Sequence, residues 1–141
     1  MIYLDTNIII YAIENHPLYG NSCRKILLDI ETGRLKASAS MFLLVETISA
    51  LIKINKILKK ENKKQLEVNE NITAILSYPL IWLDLNFPVI KRAAEYEHKI
   101  SAADYVHIAT MELNSIKKII SADREFDEVD FIKRVDPLDY E

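Results

Sequence analysis

Short apolar runs alternate along the chain with longer segments in which apolar residues recur at helical spacing. The first run, residues 1–4, is rich in strand-favouring residue types and ends abruptly at Asp5, Thr6 and Asn7. Later apolar runs predict four more strands, at residues 35–39, 80–85, 118–121 and 132–135. Because strands separated by helices usually pair in parallel, the pattern predicts an α/β fold with helices on both faces of the sheet.

Six helices are predicted between these strands, and several are bounded by residues that start or stop helices. Gly33 can end the second helix, and Ser40 can cap the third. Ser101 and Asp104 form a capping box at the sixth helix, with Asp in place of the usual Glu. The predicted helices span residues 8–14, 21–32, 41–57, 63–76, 88–99 and 101–114.

The composition agrees with a helical α/β protein. Only two glycines and four prolines occur among 141 residues, which argues against a sandwich or barrel with many tight turns. Half of the residues are hydrophobic and no composition shift divides the chain, so residues 1–141 are predicted to form a single domain. The one cysteine, Cys23, cannot form an internal disulfide. With no N-terminal leader and no apolar run long enough to span a bilayer, we expect a cytoplasmic protein.

The net charge of −3 at pH 7 gives no support to nucleic-acid binding by the molecule as a whole. Such a partner would require a local basic surface, or metal ions that reverse the sign of an acidic site. Residues 53–64 carry six lysines and one glutamate. Two interpretations of this segment stay open: a solvated helical hairpin, or a basic arm that meets RNA phosphates.

Four acidic residues stand at unusual places in the hydrophobic pattern. Asp5 and Asp123 each follow an apolar strand, and Asp104 lies in the first turn of a predicted helix. Glu46 interrupts residues 41–52, a helical segment that is otherwise free of charge. Structural interpretations exist for each: Asp5 or Asp104 can cap a helix, Asp123 can start a turn, and Glu46 can occupy one exposed position.

The four acids together predict a shared site. Ligands of open α/β sheets bind beyond the carboxyl ends of the strands, where Asp5 and Asp123 are expected. Acids gathered there would repel one another and raise one another's pKa values, and a hard divalent ion such as Mg²⁺ or Mn²⁺ relieves that conflict. Such an ion can activate water and hold the oxygens of a phosphodiester. Thr6, Asn7 and Ser121 would supply neutral hydrogen-bonding groups for substrate or bound water.

Four motifs, in order along nearly the whole chain, carry a resemblance to a known family. The chain resembles a PIN domain and, in size, the VapC-type toxin ribonucleases. The motifs are Leu4-Asp5-Thr6-Asn7, Leu44-Val45-Glu46-Thr47, Ala103-Asp104-Tyr105 followed by His107-Ile108-Ala109, and Ser121-Ala122-Asp123-Arg124-Glu125-Phe126-Asp127.

The resemblance implies a three-layer α/β/α sandwich around a five-stranded parallel sheet. It implies that one acidic set binds Mg²⁺ or Mn²⁺ and cleaves RNA: Asp5, Glu46, Asp104 and Asp123. Thr6 and Ser121 match positions at which the family often keeps a hydroxyl. Many family members are toxins neutralised by a small antitoxin, and many are homodimers, so both partners are expectations here.

Three rival hypotheses remain open. The chain can be an RNA-processing nuclease of the same family that has no antitoxin. It can be a phosphatase with Asp5 as nucleophile, although such enzymes want a second aspartate where Asn7 stands. It can also be a non-catalytic module whose acids bind a structural ion or a basic peptide.

Three further polar residues also have predicted roles. We expect His107, three residues after Asp104, to be a packed histidine or one that orients a metal ligand, rather than a ligand itself. Asp84 follows a predicted strand, and a helix-entry or turn role is expected. Asp127 is predicted to be either an outer acid of the site or an exposed turn residue.

Overall fold

A five-stranded parallel sheet forms the centre of the computed structural model, which describes residues 1–97 and 99–141. The strands are β1 (Ile2–Leu4), β2 (Ala37–Ser40), β3 (Ile81–Leu83), β4 (Lys118–Ile120) and β5 (Lys133–Val135). Their order is β3-β2-β1-β4-β5, and every neighbouring pair is parallel. The chain builds outward from β1 on one side and then continues on the other, so the strand order reverses between β1 and β4.

Six α-helices connect these strands within the described residues. They are α1 (Thr6–Ile13), α2 (Gly20–Glu31), α3 (Phe42–Lys60), α4 (Val68–Ser77), α5 (Phe87–Ala93) and α6 (Ala102–Leu113). Two short 3-10 helices follow the last two strands, at Arg124–Glu128 and Pro137–Asp139. None of the helices in the described ranges is long and apolar enough to cross a membrane.

Helices cover both faces of the sheet, which confirms the predicted three-layer α/β/α arrangement. Alternate residues of a strand point to opposite faces, so Ile2 and Leu4 pack on one core and Tyr3 on the other. The first core is completed by residues of α1 to α4, including Ile8, Ile9, Ile26, Ile30, Leu43 and Ile75. The second core contains Ile108 and Met111 of α6, together with Ile119, Phe126 and Val129.

The main differences from the predicted elements lie at helix ends. The fourth helix begins at Val68 rather than at residue 63, because the loop before it is held against α3. Asn55 donates from Nδ2 to the Leu66 carbonyl (2.9 Å) and accepts from the Leu66 amide (2.7 Å). The fifth helix ends at Ala93 rather than near residue 99. Gly33 follows α2 with a φ of +80°, a conformation that glycine adopts without strain, as expected for its helix-ending role.

Candidate active site at the carboxyl end of the sheet

Asp5 and Asp123 emerge at the same edge of the sheet because β1 and β4 are neighbours in register. Leu4 pairs with Ile120, and the Asp5 amide donates to the Ile120 carbonyl at 3.1 Å. Asp123 lies three residues after this pair. The reversal of strand order therefore brings together two acids that are far apart in sequence.

A cavity of about 500 Å³ opens at this edge and contains six of the seven predicted site residues. The α1, α3 and α6 helices and the loop after β4 form its walls. The polar lining residues are Asp5, Thr6, Asn7, Glu46, Ser49, Lys53, Asp104 and Asp123. A second cavity of about 440 Å³ lies between α1, α2 and α4 and has a mainly apolar lining that includes none of the predicted acids. The acidic cavity is therefore the site at which the chemistry of the carboxylates must be sought.

Asp5 is buried, and both of its carboxylate oxygens accept hydrogen bonds. Oδ1 accepts from the Thr6 amide (2.7 Å), so Asp5 also caps α1, while Oδ2 accepts from the Ser121 hydroxyl (2.5 Å). Burial raises the pKa of Asp5, and the charge of His107 and the Ser121 hydrogen bond oppose that rise. Asp5 therefore caps α1 and lines the acidic cavity in the same conformation.

Asn7 and Ser121 tie the first turn of α1 to the loop after β4. The Asn7 side chain donates to Ser121 Oγ (3.2 Å) and accepts from the Ala122 amide (3.4 Å). Ser121 is fully buried, and its Oγ also accepts from the Asp123 amide (3.0 Å). These contacts make Ser121 a residue that orients Asp5 and Asp123. Its contact with substrate stays a prediction.

Glu46 is held in the cavity wall by a chain of hydrogen bonds that reaches into the second core. The Thr6 hydroxyl donates to Glu46 Oε1 (2.6 Å), and His107 Nε2 contacts the same oxygen. On its other side, His107 Nδ1 hydrogen-bonds the hydroxyl of buried Tyr3 (2.5 Å). The Glu46 side chain is 23% exposed and that of His107 only 1%, so Glu46 reaches the cavity while His107 stays behind it. This placement agrees with the expectation that His107 orients a carboxylate.

The Glu46–His107 contact has the electrostatics of an ion pair. Burial acts to raise the pKa of Glu46, but the hydrogen bond and charge of His107 and the Thr6 hydroxyl lower it below its ordinary value. Burial acts to lower the pKa of His107, but the hydrogen bond to Glu46 and the charges of Asp5 and Asp104 raise it. Glu46 is therefore ionised at neutral pH despite its apolar helix.

Asp104, Asp123 and Glu125 form a close carboxylate group, with one oxygen from each lying within 4.8 Å of the others. Asp104 sits in the first turn of α6, where Ser101 Oγ caps the helix by accepting from the Asp104 amide (3.2 Å). Burial, followed by the charges of Asp5 and Asp123, raises the pKa of Asp104 to about 7. The charges of Asp5 and Asp123 thus add to the effect of burial at Asp104, in the direction that the predicted repulsion among the acids requires.

Two residues of this neighbourhood were not among the sequence predictions. Glu125 belongs to the last motif, and the only signal was its spacing from Asp123, whose Oδ1 accepts from the Glu125 amide (2.9 Å). Arg134 of β5 donates to the Ser121 carbonyl (2.9 Å) and pairs with Asp127 (3.0 Å). Nothing local in the sequence links Arg134 to the loop after β4.

Asp127 and Asp84 both lie outside the acidic cavity. Asp127 lies in the 3-10 helix with its side chain 53% exposed, and its partner is Arg134. Asp84 follows β3 as an exposed residue and does not line the acidic cavity. Asp127 therefore braces the loop that carries Asp123, whereas Asp84 is a carboxylate at a strand end that has no part in the cavity.

The donor set fits a hard divalent ion. Carboxylate oxygens are the ligands that Mg²⁺ and Mn²⁺ prefer, and a cation bound beside Asp104 would oppose the rise in its pKa. Asp104 and Asp123 face the same cavity as Asp5 and Glu46, so an ion placed among them would be neutralised by several charges. No cysteine belongs to the group, which argues against a soft-metal site.

The chain belongs to the PIN domain family, whose sequence model matches residues 2–132. No curated protein sequence matches it. The chain is similar in fold to VapBC2 from Rickettsia felis, solved bound to a DNA fragment from its promoter, with 20% identity, a TM-score of 0.69 and coverage of 96% of this chain and 98% of that one. It is also similar to VapC20 of Mycobacterium tuberculosis, a sarcin–ricin loop cleaving toxin, with 16% identity, a TM-score of 0.69 and coverage of 94% and 97%.

A toxin–antitoxin complex from Klebsiella pneumoniae has a third similar fold, with 16% identity, a TM-score of 0.65 and coverage of 97% of this chain and 98% of that one. At these identities the likeness establishes the fold. The predicted PIN-like architecture is thereby confirmed, and so is the resemblance to VapC-type proteins at the level of the fold.

The stability of the metal-free protein is expected to fall as the pH rises from 5 to 8. Asp104 and His107 both have raised pKa values, so folding favours their protonated forms and this contribution is lost as each deprotonates. In thermal melts with a chelator, Asp104→Asn should remove much of the decline, and Mg²⁺ or Mn²⁺ at pH 8 should raise the melting temperature of the wild type but not that of Asp104→Asn.

Asp84→Asn is the matched control, because it removes an exposed aspartate that also follows a strand. This variant should keep both the pH dependence and the response to the metal. A wild-type melting temperature that does not change with pH or with either ion would contradict the electrostatic account of the cavity.

Proposed function

We propose that this protein is a Mg²⁺- or Mn²⁺-dependent endoribonuclease that hydrolyses RNA phosphodiester bonds, and that it is the toxin of a toxin–antitoxin pair. One observation carries the proposal: Asp5, Glu46, Asp104 and Asp123 line a single cavity at the reversal of strand order. An acidic cavity attracts an anionic RNA only when a cation reverses its charge, so the acids and the metal belong to one proposal.

The proposed roles follow from the contacts of each side chain. Asp5, Asp104 and Asp123 would hold the ion, which when bound supplies positive charge to the attacking and leaving oxygens of the phosphodiester. Glu46, kept ionised by His107, would complete the ion's shell or orient the attacking water. Thr6 and Asn7 line the cavity and would hydrogen-bond substrate or water. Glu125 is a further ligand candidate because its carboxylate reaches Asp104 and Asp123.

The phosphatase hypothesis loses support from the surroundings of Asp5. The position at which a second aspartate would be needed is occupied by Asn7, whose amide is engaged with Ser121 and Ala122. Both oxygens of Asp5 accept hydrogen bonds and the side chain is buried, which leaves it poorly placed as a nucleophile. The intact acidic set likewise argues against a non-catalytic module.

The proposed antitoxin partner rests on the similar structures, which include a toxin–antitoxin complex from Klebsiella pneumoniae and VapBC structures from two other bacteria. A homodimer is part of the same proposal and rests on the family resemblance alone. Action in the cytoplasm agrees with an RNA substrate and with the buried free thiol of Cys23. An RNA-processing nuclease without an antitoxin is the alternative within the same enzyme class.

Asp5→Asn should lower the rate of RNA cleavage by more than about 100-fold, since even groups that only support a metal ligand contribute about 10–100-fold. The assay is cleavage of total cellular RNA with added Mg²⁺ or Mn²⁺ and with a chelator. Asp84→Asn, the exposed aspartate after β3, should cleave at the wild-type rate. Equal cleavage by Asp5→Asn and the wild type, or cleavage unaffected by the chelator, would refute the proposed site.

Expression of the wild-type chain in bacterial cells is expected to arrest growth, and expression of Asp5→Asn is not. Co-expression of a small protein encoded next to the gene should restore growth if that protein is the antitoxin. Normal growth with an active nuclease would favour the RNA-processing alternative instead. Growth curves combined with RNA cleavage by the purified protein separate the two outcomes.

A further inference from the structure

The α3 helix connects the acidic cavity to the lysine-rich segment at residues 53–64. Glu46 and Lys53 both line the cavity, and α3 continues from there to Lys60. The segment carries six lysines and one glutamate in a chain whose net charge is −3. A concentrated positive surface thus begins at the wall of the site itself.

Helical geometry places Lys53 and Lys60 on the same side of α3 as Glu46. The three residues are spaced seven apart, a repeat that drifts by only about 20° around a straight helix. With a rise of about 1.5 Å per residue, Lys53 lies roughly 10 Å and Lys60 roughly 21 Å from Glu46 along the helix axis. Lys56 is turned from Lys53 by about 60°. The three lysines therefore form a stripe that leads away from the acids.

The charges of this stripe are available to a ligand. Lys53, Lys56 and Lys60 are exposed, and among the described residues none of them has a salt-bridge partner. The one ion pair within the segment joins Lys63 and Glu61 (3.0 Å). Stabilisation of the helix C-terminus accounts for Lys60 in the last turn of α3, but not for Lys53 or Lys56, which lie further from that end.

The helix backbone that carries the stripe is also tied to the rest of the fold. The two hydrogen bonds between Asn55 and the backbone of Leu66 fasten the loop after α3 to the helix that carries the lysines. The α4 helix follows this loop, and its Ile75 is buried in the main core. Because the backbone under the lysines is already ordered, binding of a polyanion would order only the side chains themselves.

We propose that Lys53, Lys56 and Lys60 form a phosphate-binding track that holds the RNA backbone beside the bond to be cut. The inference rests on the proposed nuclease function and extends it by naming a substrate-binding surface. Residues 53–64 contain no aromatic side chain for base stacking. The track therefore binds the backbone independently of base sequence and aligns the strand with the acidic cavity.

The test compares two triple variants in an Asp5→Asn background, which is expected to bind RNA without cutting it. The first variant is Lys53→Gln, Lys56→Gln and Lys60→Gln. The probe is a fluorescent single-stranded RNA oligonucleotide of mixed sequence, with affinity measured by anisotropy over a range of salt concentrations in Mg²⁺. Losing three phosphate contacts should weaken binding at least about tenfold at low salt and reduce the slope of log affinity against log salt by about 2.

The matched control is Lys117→Gln, Lys118→Gln and Lys133→Gln. These exposed lysines stand at the amino ends of β4 and β5, the edge of the sheet opposite the cavity, and their removal changes the net charge by the same amount. Lys118 and Lys133 are paired in register, so removing these like charges should not destabilise the sheet. The control should keep its affinity within about twofold and keep its salt slope. Circular dichroism melts establish that both variants are folded.

Equal losses of affinity in the two triple variants would show that only net charge matters and would overturn the track. Unchanged RNA affinity in the first variant would also overturn the phosphate-binding track. If that variant kept its RNA affinity but failed to bind an acidic protein partner, the three lysines would be a protein-docking surface. Metal-dependent cleavage by the wild type that Asp5→Asn abolishes would still support the nuclease in either case. If the wild-type protein neither binds nor cleaves RNA, both the proposed function and the proposed phosphate-binding track are wrong.

Discussion

Repulsion between carboxylates at the carboxyl ends of β1 and β4 is the constraint on which the rest of the site depends. The parallel pairing of these two strands brings Asp5 and Asp123 to one edge of the sheet, and the first turn of α6 adds Asp104 to it. Burial, followed by the charges of Asp5 and Asp123, raises the pKa of Asp104 in this assembly. A positive ion or ligand that binds among these acids would offset the repulsion between their negative charges.

Hydrogen bonds around the acids keep this arrangement in place. Ser121 donates to Asp5, and Thr6 and His107 both contact Glu46. His107 is buried with Tyr3 at its other ring nitrogen, which fixes the ring and turns Glu46 towards the cavity. The four acids held in this way line the cavity, where an ion and a substrate can reach them.

Much of the fold and the four acids were predictable from sequence because both depend on local patterns. The apolar runs marked the five strands, and an acid placed directly after a strand needs only the parallel sheet to reach the site. The start of α4 was not predictable, because the Asn55–Leu66 hydrogen bonds that hold the preceding loop are a tertiary contact. Glu125 and Arg134 were missed for a similar reason, since their roles depend on how the 3-10 helix and β5 meet the loop after β4.

The α3 helix links the two electrostatic features of the molecule. Its first half carries Glu46 into the acidic cavity, and its second half carries the exposed lysines away from it. A polyanion approaching the protein therefore meets positive charge next to the site and negative charge within it. A divalent ion bound among the acids would reduce the negative charge of the cavity, so that an RNA strand could continue from the lysines into it.

The most direct measurement is the anomalous diffraction of crystals soaked in Mn²⁺. We predict an anomalous peak inside the acidic cavity, with carboxylate oxygens of Asp5, Asp104 and Asp123 within direct coordination distance of the ion. A peak on another surface, or acids that point away from a common centre in the presence of the ion, would contradict the claim that these residues converge on one cation.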